Sequence, residues 1–266
     1  MMKVPSKTLK AAIAATGLFA AMACTLAMAG DAYDHIVKTN QVRVAVPVDY
    51  PPYGFVGPDM APQGLDIDVA RLMAKKLGVN LLLVPVTAPN RVAYLQSGKA
   101  DFTISSLGKT AEREKVIDYS IAYSPFFDAV FGKKNLNVKS MADLAGHSVS
   151  VTRGSMQDKE LTDMAPQAIT KRFEDNTSTI AAFMSGQTEM AAVGTTVVSA
   201  LTQRNPALDM ELKVVLSNSP NYIGMNKDEP ELRDKVNQII RDAKADGTLD
   251  GISKKWLGQP MGDLPE

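Results

Sequence analysis

Cysteine is almost missing from this 266-residue chain, and its single thiol, Cys24, lies within the first thirty residues. If that leader is removed, disulfides, thiolate nucleophiles and cysteine-based zinc sites are excluded together. Histidine is nearly as scarce. His35 and His147 lie far apart, one on the N-terminal segment and one in the turn after Gly146, with no partner spacing between them. The formal net charge is zero, and no run of basic residues is present, which argues against nucleic acid or an anionic membrane as partner. No HExxH, P-loop, GxSxG or EF-hand pattern occurs. Beyond the leader, no apolar run is long enough to span a bilayer.

The leader itself has the three parts of a secretory signal. Lys3, Lys7 and Lys10 form a positive start, residues 11–23 an apolar segment, and Ala27-Met28-Ala29 a small-x-small cleavage site. The apolar segment is broken at Thr16 and Gly17. Cys24 raises lipoprotein processing as an alternative, but Ala21 stands three residues before it where leucine is normally wanted. Cleavage after Ala29 is therefore expected, giving a periplasmic chain of about 237 residues with a formal charge near −3 once the three leader lysines are gone.

The mature chain alternates strand-like and helix-like segments, the pattern of an α/β fold. Strands are expected at 42–46, 81–84 and 149–151. Helices are expected at 66–77 (stopped by Gly78), 90–97, 157–164, 178–185, 197–203 and 229–245, and Ser140 can cap a short one that Gly146 stops. Leu95-Gln96-Ser97-Gly98-x-x-Asp101 is echoed by Phe183-Met184-Ser185-Gly186-x-x-Glu189. Both read as helix–glycine–strand corners, and the echo fits two similar lobes.

The densest chemistry lies in residues 95–123, LQSGKADFTISSLGKTAEREKVIDYSIAY. Gly98 suits a left-handed helix stop. A short strand at 101–104 runs out into Ser105-Ser106, and Thr110 with Glu112 and Glu114 looks like the cap and acidic first turn of a new helix. Arg113 thus lies just beyond a strand's carboxyl end, where open α/β sheets bind ligands, and its guanidinium suits a carboxylate. A plain alternative is that it pairs with Glu112 or Glu114 on a solvated helix. In the second half, Arg153-Gly154-Ser155-Met156-Gln157 follows a strand and opens a helix, whose amides favour an anion, or else Ser155 is an ordinary cap. Asp66-x-Asp68 suggests a cation less readily than a helix cap and first-turn charge.

These motifs resemble the bacterial extracellular solute-binding proteins of family 3, the polar amino-acid type. The match runs through Leu95-Gln96-Ser97-Gly98, Asp101, Ser105-Ser106, Thr110 to Arg113, Asp118-Tyr119-Ser120 and Tyr123. It continues in VAVPVDYPPYGF at 44–55, Gly64 to Asp68, and Asp246-Gly247-Thr248 with Lys255-Trp256. The resemblance implies an α/β fold of two lobes, each a sheet flanked by helices, joined by a two-strand hinge. Lobe one would hold 30–132 and 222–266 and lobe two 133–221, with crossings near 131–134 and 219–225. It also implies site residues: Tyr50 packing over the ligand, Arg113 and Ser106 (with Ser105) holding its carboxylate, and Ser155, Met156 and Gln157 completing the contact. Three departures accompany it. Ala88 stands where an aromatic is usual, Gly108 where Thr or Ser is usual, and the aspartate that fixes a ligand ammonium falls at Gly194 or Thr195. Thr195, Glu189 or a carbonyl would then have to take that ammonium, or the ligand would be a carboxylate without one.

The resemblance implies a monomeric, non-enzymatic periplasmic receptor for an amino acid or other small carboxylate, serving the membrane permease of an ABC importer and needing no cofactor or metal. A second possibility is an exported dehydratase of the same fold acting on a prephenate- or arogenate-like acid, with Glu174 or Glu189 as its acid. A third, a sensor input domain, lacks an output domain in this sequence.

Overall fold

The computed structural model describes residues 32–205 and 208–266; the expected signal segment, its cleavage site and Cys24 lie outside them. Helix α1 (Ala32–Thr39) leads into β1 (Gln41–Val46). A small antiparallel sheet comes next, made of β2 (Asp49–Tyr50), β3 (Gly54–Val56) and β4 (Pro62–Gln63). Then come α2 (Leu65–Leu77), β5 (Asn80–Pro85), α3 (Arg91–Gln96), β6 (Phe102–Thr103), α4 (Ala111–Glu114) and β7 (Ile117–Ser124). The chain next enters β8 (Phe127–Gly132), β9 (Ser148–Thr152), α5 (Met156–Met164), β10 (Ile169–Phe173), α6 (Asn176–Met184), β11 (Met190–Gly194), α7 (Thr195–Arg204) and β12 (Glu211–Asn218). It returns through β13 (Asn221–Asn226), α8 (Pro230–Ala245) and α9 (Thr248–Leu257).

Two five-stranded sheets result, ordered β5-β1-β6-β13-β7 and β10-β9-β11-β8-β12. In each, the first three strands are parallel, the fourth runs against them, and the fifth pairs antiparallel with the fourth and so runs with the first three. The fourth strand of each sheet is the one that has just arrived from the other sheet. These are two lobes on one plan, and the echoed glycines mark equivalent corners: Gly98 and Gly186 have φ of 65° and 77°.

Local chemistry explains the helices. Gly78 stops α2 at φ 72°, its amide reaching the carbonyls of Ala74 and Lys75. Thr110, Ser155 and Asp175 each accept the amide three residues ahead and so start α4, α5 and α6. Leu232, Val236, Ile239, Ile240 and Ala243 form one buried stripe on α8, which packs on β7 and α9. Burying such aliphatic side chains contributes about 1.5–3 kcal/mol each for the larger ones, before entropy. One apolar core fills lobe one and continues under the cleft through Tyr50, Tyr53, Phe126, Val193 and Val197; a second fills lobe two around Val130, Val149, Leu161 and Met190.

The sheets exchange the chain at Pro125-Phe126 and Ser219-Pro220. The first exchange is one whole strand earlier than the expected 131–134. The physical reason is that β7 and β8 are buried on both faces, so no alternation or polar break marks the passage. The two connections touch, with the Ser219 amide donating to the Phe126 carbonyl at 2.9 Å.

Candidate ligand-binding cleft

Between the lobes lies a cleft with about 460 Å³ not filled by atoms, part of it open to solvent. It sits at the carboxyl ends of the parallel strands, where the topology of an open α/β sheet leaves a crevice. Tyr50, Ser105, Ser106, Gly108, Ser155, Met156 and Gln157 line it, so seven of the nine residues anticipated from sequence meet there. Arg113 and Thr195 do not. Arg113 lies in an outer groove with Thr110, Gly154 and Asp158, and Thr195 opens α7.

Arg91, which no sequence motif singles out, lines the cleft and is 5% exposed. Its Nη1 donates to the carbonyls of Ser105 and Ser106 at 2.8 and 3.0 Å, and its Nε to that of Ala88 at 3.0 Å. Burial, and then the neighbouring charge of Arg113, lower its pKa to about 9. One signal could have found it: a cation at the first residue of a helix opposes the helix dipole, so its place needs a reason outside the helix.

Arg113 donates to Gly108 O at 2.7 Å and across the cleft to Gly154 O at 2.6 Å. It does not pair with Glu112 or Glu114 within 4 Å, and Arg91 also reaches Gly154 O, at 3.4 Å. Two guanidinium groups thus converge on one lobe-two carbonyl, and among the described residues no carboxylate forms an ion pair with either.

Ser106 is held in a left-handed conformation, φ 46°. Both its amide and its hydroxyl donate to Asp66 Oδ2, at 2.9 and 3.1 Å, and Tyr123 donates to Oδ1 at 2.7 Å. Asp66 therefore shapes the serine turn from beneath. Asp68 accepts from Lys255, Trp256 and Arg71, so the Asp66-x-Asp68 pair serves two structural roles. Glu174 pairs with Arg153, and Glu189 with His147 and Ser148; neither lines the cleft, so the structure removes both as its acid and Glu189 as its ammonium acceptor.

The lobes are tied across the cleft mouth. Tyr50 accepts the Gly194 amide at 3.0 Å, the Tyr53 and Thr196 hydroxyls meet at 2.9 Å, and Asn176 donates twice to Asp49. Tyr50 stacks with Tyr53 and Phe126, centroids 5.9 and 6.4 Å away.

Two sequence departures gain a physical cause. A Cβ at Gly108 would lie 2.5 Å from Ser219 Oγ and 2.7 Å from Met156 Cγ. A Cβ at Gly194 would lie 2.5 Å from Phe126 Cζ, so the ring of Phe126 occupies the space where an aspartate there would project. The cleft instead carries an acid from the neighbouring strand, Asp128.

Two α/β lobes of one plan around a polar cleft define the class of two-lobed solute receptors. The model of the bacterial extracellular solute-binding proteins, family 3, matches residues 42–259, and the chain belongs to that family. It is 26% identical to the ABC transporter glutamine-binding protein GlnH of Bacillus subtilis (strain 168) over 227 residues, 84% of this chain and 83% of that one. An ancestral arginine-binding protein bound to arginine superimposes with a TM-score of 0.78 at 32% identity, covering 82% of this chain and 99% of the other. An ancestral amino acid-binding protein described as a precursor of cyclohexadienyl dehydratase does so with 0.78 at 30%, covering 85% and 99%.

Proposed function

We propose that this protein is an extracytoplasmic receptor that captures a small carboxylate-bearing solute, an amino acid by preference, and delivers it to the permease of an ABC importer. The observation that carries this reading is a pair of arginines, Arg91 lining the cleft and Arg113 bridging the lobes in the outer groove beside it, both spending donors on carbonyls with no anion among the described residues paired to them. A ligand carboxylate supplies the missing counter-charge, and guanidinium is the group best shaped to take it. Ser105 and the start of α5 add donors on either side, and Tyr50 offers a ring face. The relatives' ligands, glutamine and arginine, share the carboxylate this arrangement selects.

The test is a thermal-shift screen of the mature protein, unfolded and refolded to remove bound solute, against common L-amino acids and small organic acids. Binding to the folded state raises the melting temperature with the logarithm of saturation. A shift with one chemical group of amino acids supports the reading. With a ligand in hand, Arg113→Ala should weaken binding by about 1.5–3 kcal/mol, the worth of a charged hydrogen bond; unchanged affinity would remove Arg113 from the site.

A second reading, a dehydratase, is favoured by one feature: Asp128 is a buried acid on the cleft whose pKa burial, and then Glu160, push well above the usual range. Loss of prephenate absorbance in the presence of the protein would establish it.

A further inference from the structure

Asp128 is fully buried, and its Oδ1 has no hydrogen-bond partner among the described residues. Its Oδ2 has only a long contact, 3.4 Å, from Ser217 Oγ. The same hydroxyl donates to Glu160, whose own Oε2 is also unpartnered. Asn221, 1% exposed, has no partner for either end of its amide among the described residues. Asp128 and Asn221 both line the cleft. They stand at corresponding places in the two lobes, near the starts of β8 and β13, the strands that cross between sheets.

A carboxylate removed from water without a partner is costly, and Asp128 by itself avoids that cost by holding its proton; a cationic donor entering the cleft would let it ionise. The register relates this acid to the one that is missing. Asp128 is the antiparallel partner of Gly194, one of the two positions, with Thr195, at which the acid expected from the family resemblance is missing, and Phe126 blocks a side chain at Gly194.

We propose that Asp128 receives the ammonium of a zwitterionic ligand, with the Asn221 amide oxygen beside it and Glu160 behind Ser217 adding negative potential. The acceptor has moved one strand across the sheet, from the end of β11 to the start of β8, and Phe126 fills the place it left. Arg91 and the serine turn form the anionic end of the same cleft. The ligand class is then an α-ammonium carboxylate, not a simple organic acid. This rests on the receptor reading of the cleft.

The experiment titrates the refolded, ligand-stripped mature protein calorimetrically with each common L-amino acid and with the matching acid lacking the amine. The Asp128→Asn and Glu160→Gln variants are titrated likewise. Wild type should bind an amino acid and prefer it over its amine-free partner. Asp128→Asn should lose about a hundredfold for the amino acid, the scale of a charged hydrogen bond, while the amine-free acid binds as before; Glu160→Gln should cost less than Asp128→Asn. If wild type binds an amino acid and Asp128→Asn binds it equally well, the acceptor lies elsewhere and the receptor reading stands. If only amine-free acids bind wild type, the Asp128 assignment fails while the receptor reading stands. If nothing binds, the receptor reading itself fails and takes this one with it. Should Asp128→Asn not fold, a crystal structure of the wild-type complex decides: ammonium nitrogen within hydrogen-bond reach of Asp128 supports the assignment, and nitrogen on another acceptor overturns it.

Discussion

Asp66 carries three hydrogen bonds on a carboxylate that water does not reach, and burial outweighs them, raising its pKa to about 7. In the unfolded chain an aspartate titrates near 3.9. The folded state therefore holds the proton more tightly. The stability this contributes is complete below about pH 4 and is lost as pH rises through 7. Asparagine at 66 can keep the Ser106 contacts without titrating. Asp66→Asn should therefore flatten the fall in melting temperature between about pH 4 and 7; an unchanged slope would remove Asp66 as its source. The serine turn above Asp66 was legible in the sequence because Ser105-Ser106 follows a strand in a recognisable order. Arg91 and Asp128 were not, because one sits in an unremarkable short helix and the other inside an apolar strand. Only the packing of both lobes turns them toward a common space.

Helix ends were readable because caps are local. Gly78, Thr110 and Ser155 each act within four residues. Substituting Gly78 by alanine should cost about 1 kcal/mol, since its φ of 72° is unfavourable to any side chain although the space is free; denaturant melting reads it. The passage from β7 to β8 was not readable. Both strands are buried along nearly their whole length even at their polar residues, and the change of sheet is a tertiary event with no local mark beyond Pro125. At the end of β11 the constraint is steric. Gly194→Ala should destabilise by about 1–3 kcal/mol through overpacking against Phe126. Adding Phe126→Ala should recover part of that loss, a coupling that a double-mutant cycle measures; strict additivity would show that the two do not meet.

Across the whole molecule, closure rests on a few polar ties at the cleft mouth, with the aromatic group of Tyr50, Tyr53 and Phe126 beneath. A ligand shifts an open–closed equilibrium only by its differential affinity for the two states. Asp49 of one lobe accepts two hydrogen bonds from Asn176 of the other. Asp49→Ala should therefore weaken ligand binding several-fold although Asp49 itself does not line the cleft, each lost tie being worth about 0.5–1.5 kcal/mol. Small-angle scattering of the ligand-free variant should show a larger radius of gyration than wild type. The two-lobed plan itself was legible from the alternating pattern, the glycine echo and the family resemblance. The lobes' mutual grip was not, because it joins residues more than a hundred positions apart.

The claim that this cleft binds without converting is tested most directly by equilibrium dialysis. The ligand-stripped protein would be exposed to a mixture of L-amino acids and small organic acids, and the retained compound identified by mass spectrometry. The account predicts one compound retained, one per chain and chemically unchanged, carrying both a carboxylate and an ammonium. Retention of nothing, or recovery of a compound altered by the protein, would contradict it.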